Sequence, residues 1–224
     1  MQPREISGLQ HFRPDLSICP RYGGTRGTSM LNVIVATHES ERSLVPTLAA
    51  LVPGATAGLI GEVVIADAGS RDATAEVAEF AGCRFVVSSE SLGVRLKAAA
   101  ASTRSPWLMF LRAGVVPDPG WVGAAERFIG MARFAASSRA AVFRPPGVGD
   151  LLRPSLTEIF KLMHAALGGA RPEQGLLIAR PLYESIGGHP AGADAEKALL
   201  RRIGRQRLAT LGSVARTIRQ KNNT

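Results

Sequence analysis

The sequence predicts an α/β protein with a mainly parallel central sheet flanked by helices. From Leu31 onward, short apolar runs alternate with segments of helical periodicity, which is typical of a parallel sheet. The run Leu31–Ala36 is apolar at nearly every position, as buried parallel strands are. The run in Glu62–Thr74 ends in Asp67, and ligands of open α/β sheets bind where the strands end. Asp67 therefore marks the predicted site edge.

Each element of the first half has a local signal. Serine or aspartate residues that can cap a helix precede the first two helical patterns, and Pro53-Gly54 and Gly82 end them. Asp118 followed by Pro119 is a typical start for the fourth helix. The predicted elements are, in order, strand Leu31–Ala36, a helix from Ser40 or Ser43 to near Pro53, strand Glu62–Ala66, a helix from Ser70 or Asp72, strand Arg84–Val87, helix Leu92–Thr103, strand Trp107–Leu111 and a helix through Phe134.

The second half has weaker patterns. The segment Val142–Asp150 reads as a loop, and the predicted elements after it are helix Leu156–Leu167, strand Leu176–Ala179, helix Asp194–Ile203 and an edge strand at Arg207–Thr210. Residues 1–29 show no usable periodicity and are predicted to be a disordered arm or a mis-assigned start. Residues 30–211 are predicted to form a single domain, and 212–224 a basic C-terminal tail.

The net charge of +9 is concentrated at the C-terminal end. Lys197–Thr224 carries eight basic residues and no acid, whereas the rest has 19 basic and 18 acidic residues. The tail is either a solvated segment or a patch for phosphate or anionic lipid; with no interleaved aromatic residue, nucleic acid is not expected. Cys19 and Cys83 form neither a disulfide framework nor a metal site, and no apolar run is long enough to span a bilayer. The expected location is cytoplasmic, with peripheral contact at the inner face of the membrane through the tail.

Four segments, in order, resemble family 2 glycosyltransferases of the GT-A fold. The second segment, Glu62–Thr74, is similar to that family's strand followed by Asp-Asp/Gly-Gly-Ser-Thr-Asp. The four segments are LNVIVATHESERSL (31–44), EVVIADAGSRDAT (62–74), SPWLMFLRAGVVPDPGWV (105–122) and PEQGLLIARPLYESIGGHP (172–190). The resemblance covers roughly residues 31 to 207 and implies a GT-A-like nucleotide-diphospho-sugar transferase fold.

The resemblance implies a nucleotide-sugar donor, inverting transfer to a hydroxyl and, usually, a divalent cation. Asp67 can accept a hydrogen bond from a base or a ribose hydroxyl, His38 can stack on a base, and Gly69 allows close backbone approach. Helix capping is the alternative role for Ser70 and Asp72. The implied donor-binding residues are Thr37, His38, Glu39, Asp67, Gly69 and Ser70.

The metal motif of the family would fall at 112–114, where this chain has Arg112, Ala113 and Gly114. Mg²⁺ and Mn²⁺ need oxygen ligands, which these residues do not supply, so no metal site and no cofactor are predicted. Three interpretations remain open. Arg112 pairs with the donor diphosphate, since a guanidinium binds phosphate bidentately. The protein binds a nucleotide or a glycan without transfer. Arg112 is a surface residue of a decayed relative.

The resemblance also implies roles for residues outside the donor loops. Arg95 lies on the helix before the fourth strand, where it would reach the donor, with a solvated helix face as the alternative. Glu196 lies nearest the expected general base, although acids in a first helical turn also stabilise the helix N-terminus. Glu173 and Gln174 would line the acceptor side. His189 is expected to be structural.

Two functions follow from these expectations. The first is a glycosyltransferase-like protein, metal-independent if Arg112 replaces the cation, that acts on a glycan or lipid-linked acceptor. The alternative is a catalytically degenerate protein that binds a nucleotide or a glycan. A nucleotidyltransferase of similar topology is disfavoured, because no glycine-rich phosphate loop follows the first strand.

Overall fold

The computed structural model describes residues 30–134, 139–146 and 171–218. The predicted arm at 1–29, the predicted helix at 156–167 and the end of the chain after residue 218 lie outside these residues. In chain order the elements are β1 Leu31–Thr37, α1 Glu41–Thr56, β2 Ile60–Asp67, α2 Thr74–Phe80, β3 Arg84–Val87, α3 Leu92–Ala101, β4 Trp107–Arg112, β5 Val115–Pro117, α4 Trp121–Phe134, β6 Ala140–Arg144, a 3₁₀ turn Pro172–Gln174, β7 Leu176–Ala179, α5 Arg180–Ser185, α6 Ala195–Ile203 and β8 Leu208–Thr217.

The predicted α/β class is confirmed: one eight-stranded mixed sheet, in the order β3-β2-β1-β4-β7-β6-β8-β5, has helices packed on it. The strands β3, β2, β1 and β4 are parallel, and every residue of β1 is buried. This burial explains why β1 is continuously apolar rather than alternating.

The strand register brings polar residues together at one edge of the parallel half. Thr37 at the end of β1 lies opposite Asp67 at the end of β2, and Ala36 lies opposite Arg112 at the end of β4. Parallel strands end at the same edge, so the ends of β1, β2 and β4 form the edge that the sequence predicted for the site.

The second half of the sheet is mixed and differs from the prediction. The expected loop at Val142–Asp150 is wrong for its first residues, because β6 runs to Arg144 between β7 and β8. The sequence of Val142–Asp150 is loop-like, yet Ala140–Phe143 is buried between the strands on both sides of β6. The strand β8 continues to Thr217, so 212–217, expected in the tail, lies in the sheet. Asp118 accepts hydrogen bonds from Ser213 Oγ and Val214 N and so fixes this strand.

One close contact joins the parallel half to the segment before α6. Gly93 in α3 donates a backbone hydrogen bond to Gly192 O, and Gly192 N donates to Ser91 Oγ at 3.0 Å. A Cβ atom on Gly93 would lie 1.8 Å from Pro190 O, so only glycine fits at this position. This contact sets the position of α6, which carries Glu196, relative to the parallel strands.

Candidate active site

Asp67 is the centre of a closed hydrogen-bond network at the carboxyl ends of β1 and β2. Its side chain is fully buried and accepts hydrogen bonds from Thr37 Oγ1, from Ser70 Oγ and from the backbone N–H groups of Gly69 and Ser70, at 2.6–2.7 Å. Gly69 adopts φ +89°, which glycine allows and which turns its N–H towards the carboxylate. These four bonds use the acceptor sites of both carboxylate oxygens.

The network also determines the charge state of Asp67. Burial alone would raise the pKa of the carboxyl group, but the hydrogen bonds from Ser70, Thr37 and Gly69 outweigh burial and lower it. Asp67 is therefore a carboxylate at neutral pH, and its charge is stabilised inside the protein. The carboxylate holds the turn after β2 in one conformation.

A second set of bonds ties the loop after β1 to the same turn. Glu39 N donates to Ser70 Oγ at 2.8 Å, and Arg71 N donates to Glu39 Oε1 at 2.9 Å. Asp72 accepts from Glu41 N at 2.9 Å, and hydrogen bonds from Thr74 and Glu41 lower its pKa against the effect of burial. Both loops are thus held together by their own polar groups.

The residues of the two loops differ in exposure. Thr37 and Asp67 are buried, whereas the side chains of His38 and Glu39 are exposed at the edge. Among the predicted donor residues of these loops, His38 and Glu39 are therefore the side chains that a ligand can reach directly. Glu39 has φ +48°, an unusual conformation for a residue other than glycine.

Arg95 lies behind this edge. Its side chain donates to Ala66 O at 2.7 Å, to Glu90 O at 3.2 Å and to Thr37 O at 3.4 Å. Burial lowers the pKa of Arg95, and the negative charge of Asp67 opposes this effect. The guanidinium thus supports the ends of β1 and β2 from behind rather than facing solvent as a free cation.

Arg112 and Glu196 bind each other across the edge. Arg112 Nε donates to Glu196 Oε2 at 2.7 Å, and Nη2 donates to the same oxygen. The Arg112 side chain is 41% exposed and that of Glu196 is 10% exposed. The hydrogen bond to Glu196 raises the pKa of Arg112, with burial opposing and the charges of Glu196 and Glu173 adding to the effect. The sequence suggested both residues separately but not their contact.

The residues at 112–114 do not fit a divalent cation. They supply a guanidinium, a methyl group and the backbone of a glycine, and the nearby Glu196 carboxylate is bound by Arg112. Within residues 30–134, 139–146 and 171–218, no group of three or more His, Cys, Asp or Glu side chains could hold a metal ion.

The two residues expected on the acceptor side have different environments. Gln174 is held by the backbone: Arg171 N donates to its Oε1 at 2.6 Å, and its Nε2 donates to Phe143 O at 2.9 Å. Glu173 is exposed and close enough to Arg112 for its charge to contribute to the raised pKa of Arg112. Of these two side chains, the acidic Glu173 is therefore exposed to solvent, whereas the amide of Gln174 is held by backbone groups.

Glu196 lines a small cavity. Its lining is mostly apolar: Phe110, Arg171, Pro172, Gly175, Leu176, His189, Glu196 and Leu200. Sequence reasoning missed Arg171, although it directly precedes the Pro172–Gln174 segment that pointed to the acceptor side.

His189 has the structural environment expected for it. The ring is buried, packs edge-on against Phe110 and shares a 2.9 Å hydrogen bond between Nδ1 and the Tyr183 hydroxyl. Burial lowers the pKa of His189 to about 3 and raises the pKa of Tyr183 to about 12. Both side chains are therefore uncharged at neutral pH, and His189 forms part of the wall of the cavity.

The chain belongs to glycosyl transferase family 2, whose family model matches residues 32–157, more than half of its length. A validoxylamine A glucosyltransferase from Streptomyces hygroscopicus subsp. limoneus is 33% identical over 112 residues. That match covers 47% of this chain and 25% of the relative, so the matched region spans about a quarter of that protein.

The fold is that of GT-A glycosyltransferases. Glucosyl-3-phosphoglycerate synthase from Mycobacterium tuberculosis, solved with Mn²⁺, uridine diphosphate and phosphoglyceric acid, superposes with a TM-score of 0.63 at 18% identity, over 87% of this chain and 72% of that chain. S. aureus TarS 1–349 with UDP-GlcNAc gives 0.61 at 16% identity, over 85% of this chain and 59% of that chain. At these identities the likeness establishes the fold alone. In the part of the chain that the structure describes, no helix is long and apolar enough to cross a membrane.

Proposed function

We propose that this protein transfers a sugar from a nucleotide-sugar donor to an acceptor hydroxyl, with Arg112 rather than a divalent cation facing the donor diphosphate. The observation that carries the proposal is Arg112 itself, a half-exposed guanidinium at the end of β4, where the sequence resemblance would put the family's metal motif. A guanidinium matches two phosphate oxygens at once and stabilises the charge of a departing diphosphate.

The donor would lie along the edge formed by the ends of β1, β2 and β4. The exposed His38 and Glu39 would contact the nucleoside, while Thr37, Gly69 and Ser70 would keep the two loops in place. Asp67 would act through this turn, since its four acceptor sites are occupied; direct contact with a base would require one of these bonds to exchange. Arg95 would position the same edge from behind.

Glu196 is the proposed base. The acceptor O–H would give its proton to the Glu196 carboxylate while the oxygen bonds to the anomeric carbon of the sugar. The bond from that carbon to the diphosphate oxygen would break, and its electron pair would leave with the nucleoside diphosphate. Arg112 would stabilise that leaving charge, and Glu173 and Gln174 would border the acceptor.

Calorimetry with uridine diphosphate in EDTA tests the donor half of this proposal. Arg112→Ala should weaken binding by about tenfold or more, because a charge-assisted phosphate contact is lost. Arg201→Ala, which removes the same charge from an exposed position on α6, should leave the affinity unchanged. Binding that requires Mn²⁺ would contradict the proposed role of Arg112.

A second candidate function, nucleotide or glycan binding without transfer, is favoured by the pairing of Arg112 with Glu196, which occupies both proposed groups. Release of nucleoside diphosphate from a panel of nucleotide-sugars, with glycan and lipid-linked acceptors, separates the two functions. Turnover by the wild-type protein that is lost in Glu196→Gln supports transfer. Nucleotide binding with no turnover on the whole panel supports the second function.

The basic residues near the C-terminus support one further part of this proposal, peripheral contact of a cytoplasmic protein with anionic lipid at the inner face of the membrane. A lipid-linked acceptor would then lie close to the protein. Sedimentation with phosphatidylglycerol vesicles, compared with neutral vesicles, tests it, and equal recovery with both would contradict it.

A further inference from the structure

The two residues proposed to act on different substrates are bound to each other. Arg112 uses Nε and Nη2, one edge of its guanidinium, to bind a single oxygen of Glu196. The same edge would face two phosphate oxygens in a bidentate contact. A ligand anion that takes this edge must therefore displace the carboxylate.

The contact is incomplete on both sides. Among the described residues, Arg112 Nη1 has no hydrogen-bond partner, and neither does Glu196 Oε1. The guanidinium is open to solvent at 41% exposure, whereas the carboxylate is nine-tenths buried and lines the cavity beside His189. Solvent therefore reaches the Arg112 side chain more easily than the Glu196 carboxylate.

The energetics allow the partners to exchange. The Arg112 end of this ion pair is 41% exposed, so solvent screens the contact, and two long side chains must be ordered to form it. The diphosphate carries more negative charge than one carboxylate and offers several acceptor oxygens to the same guanidinium. When Glu196 is released, Arg112 loses a neighbouring negative charge. The charge of Glu173, which also acts on Arg112, would partly replace it.

We propose that Glu196 and the donor diphosphate compete for Arg112, so that donor binding frees the Glu196 carboxylate for the acceptor hydroxyl. This inference rests on the proposed function and adds a coupling between the two substrates. In this contact the guanidinium occupies one oxygen of the Glu196 carboxylate. When the diphosphate takes the guanidinium, that oxygen becomes free to accept the proton of the acceptor hydroxyl.

The test is a double-mutant cycle on the affinity for uridine diphosphate in EDTA. Calorimetry would compare the wild type, Glu196→Gln, Arg112→Ala and the double variant. Glu184→Gln, which removes a charge from the exposed end of a different ion pair, is the charge-matched control and should leave the affinity unchanged. Competition predicts that Glu196→Gln tightens binding by about twofold to fivefold, the range expected for freeing a part-exposed ion pair.

The double variant separates competition from general electrostatics. If Glu196 only repels the ligand at a distance, Glu196→Gln tightens binding equally in the Arg112→Ala background; if it competes for Arg112, the effect disappears there. An unchanged affinity in Glu196→Gln, or an effect that persists without Arg112, overturns the inference and leaves the proposed function standing. If the wild type binds no nucleoside diphosphate, the proposed function fails, and the inference fails with it. Glu196→Asp, which keeps the charge but shortens the side chain, should show the same effect more weakly and replaces Glu196→Gln if that variant does not fold.

Discussion

The two ends of the candidate site differ in how their polar groups are satisfied. Around Asp67 each carboxylate oxygen accepts two short hydrogen bonds, and the loops after β1 and β2 are tied by further bonds. At Arg112 and Glu196 one oxygen carries the contact, and the Arg112 Nη1 group and the other carboxylate oxygen have no partner among the described residues. A satisfied network keeps a shape, whereas unsatisfied groups are available to a ligand. The Asp67 end therefore provides a fixed frame, and the Arg112 end provides the groups that can change partners.

The largest expected effect comes from removing the Asp67 carboxylate, the acceptor of the hydrogen-bond network at that end of the site. Asp67→Ala would leave the Thr37 and Ser70 hydroxyls and two backbone N–H groups without their buried acceptor. We expect a loss of about 2–4 kcal/mol in the free energy of unfolding, measured by chemical denaturation with an unchanged m-value.

The control for that measurement is Asp194→Ala at the start of α6. The Asp194 side chain is 84% exposed and pairs only loosely with Lys197, at 3.3 Å. Its removal should change stability by no more than about 0.5 kcal/mol. Equal losses in the two variants would mean that the network around Asp67 is not the rigid frame described above.

The next effect concerns the close contact between Gly93 in α3 and the segment before α6, which sets the position of Glu196. A Cβ atom on Gly93 would lie 1.8 Å from the backbone oxygen of Pro190, which cannot move without displacing the segment before α6. Gly93→Ala should therefore cost about 1–3 kcal/mol, as overpacking does. It should also weaken the contact between Arg112 and Glu196, because α6 would shift.

Gly130→Ala on α4 is the matched control for Gly93→Ala. Nothing lies within 4 Å of a Cβ atom placed there, and the residue is helical. Alanine at this position should raise the stability by about 0.4–1 kcal/mol. If Gly93→Ala behaves in the same way, the segment at 190–192 is not held against α3 and does not set the position of Glu196.

The sequence predicted the Asp67 end better than the Arg112 end for a physical reason. The strand that ends in Asp67, the glycine and the serine are adjacent in the chain, so local patterns suffice to predict both the turn and the edge. Arg112 and Glu196 are separated by 84 residues and meet only because the fold brings the start of α6 to the end of β4. No local pattern carries that contact. Strand β6 was not predicted for the same reason, since it is stabilised by pairing with β7 and β8, which are distant in sequence.

The last expected effect is the pH dependence that His189 contributes from the wall of the cavity. Burial lowers the pKa of His189 to about 3, whereas the unfolded chain titrates near the ordinary value of 6.5. Between these values the unfolded state binds a proton that the folded state does not. The stability from neutral His189 is therefore complete above about pH 6.5 and decreases as the pH falls towards 3, by at most about 1.4 kcal/mol per pH unit.

Urea unfolding of the wild type and of His189→Asn between pH 4.5 and 7.5 measures this contribution. The variant should be less stable at pH 7.5, because it loses the ring packed on Phe110, yet its stability should fall less steeply as the pH drops. His38→Asn removes an exposed imidazole from the donor edge and should reproduce the wild-type profile. Equal slopes for the wild type and His189→Asn would show that protons reach the buried ring. The cavity beside Glu196 would then be a hydrated, adaptable surface, and rigidity would be confined to the Asp67 end.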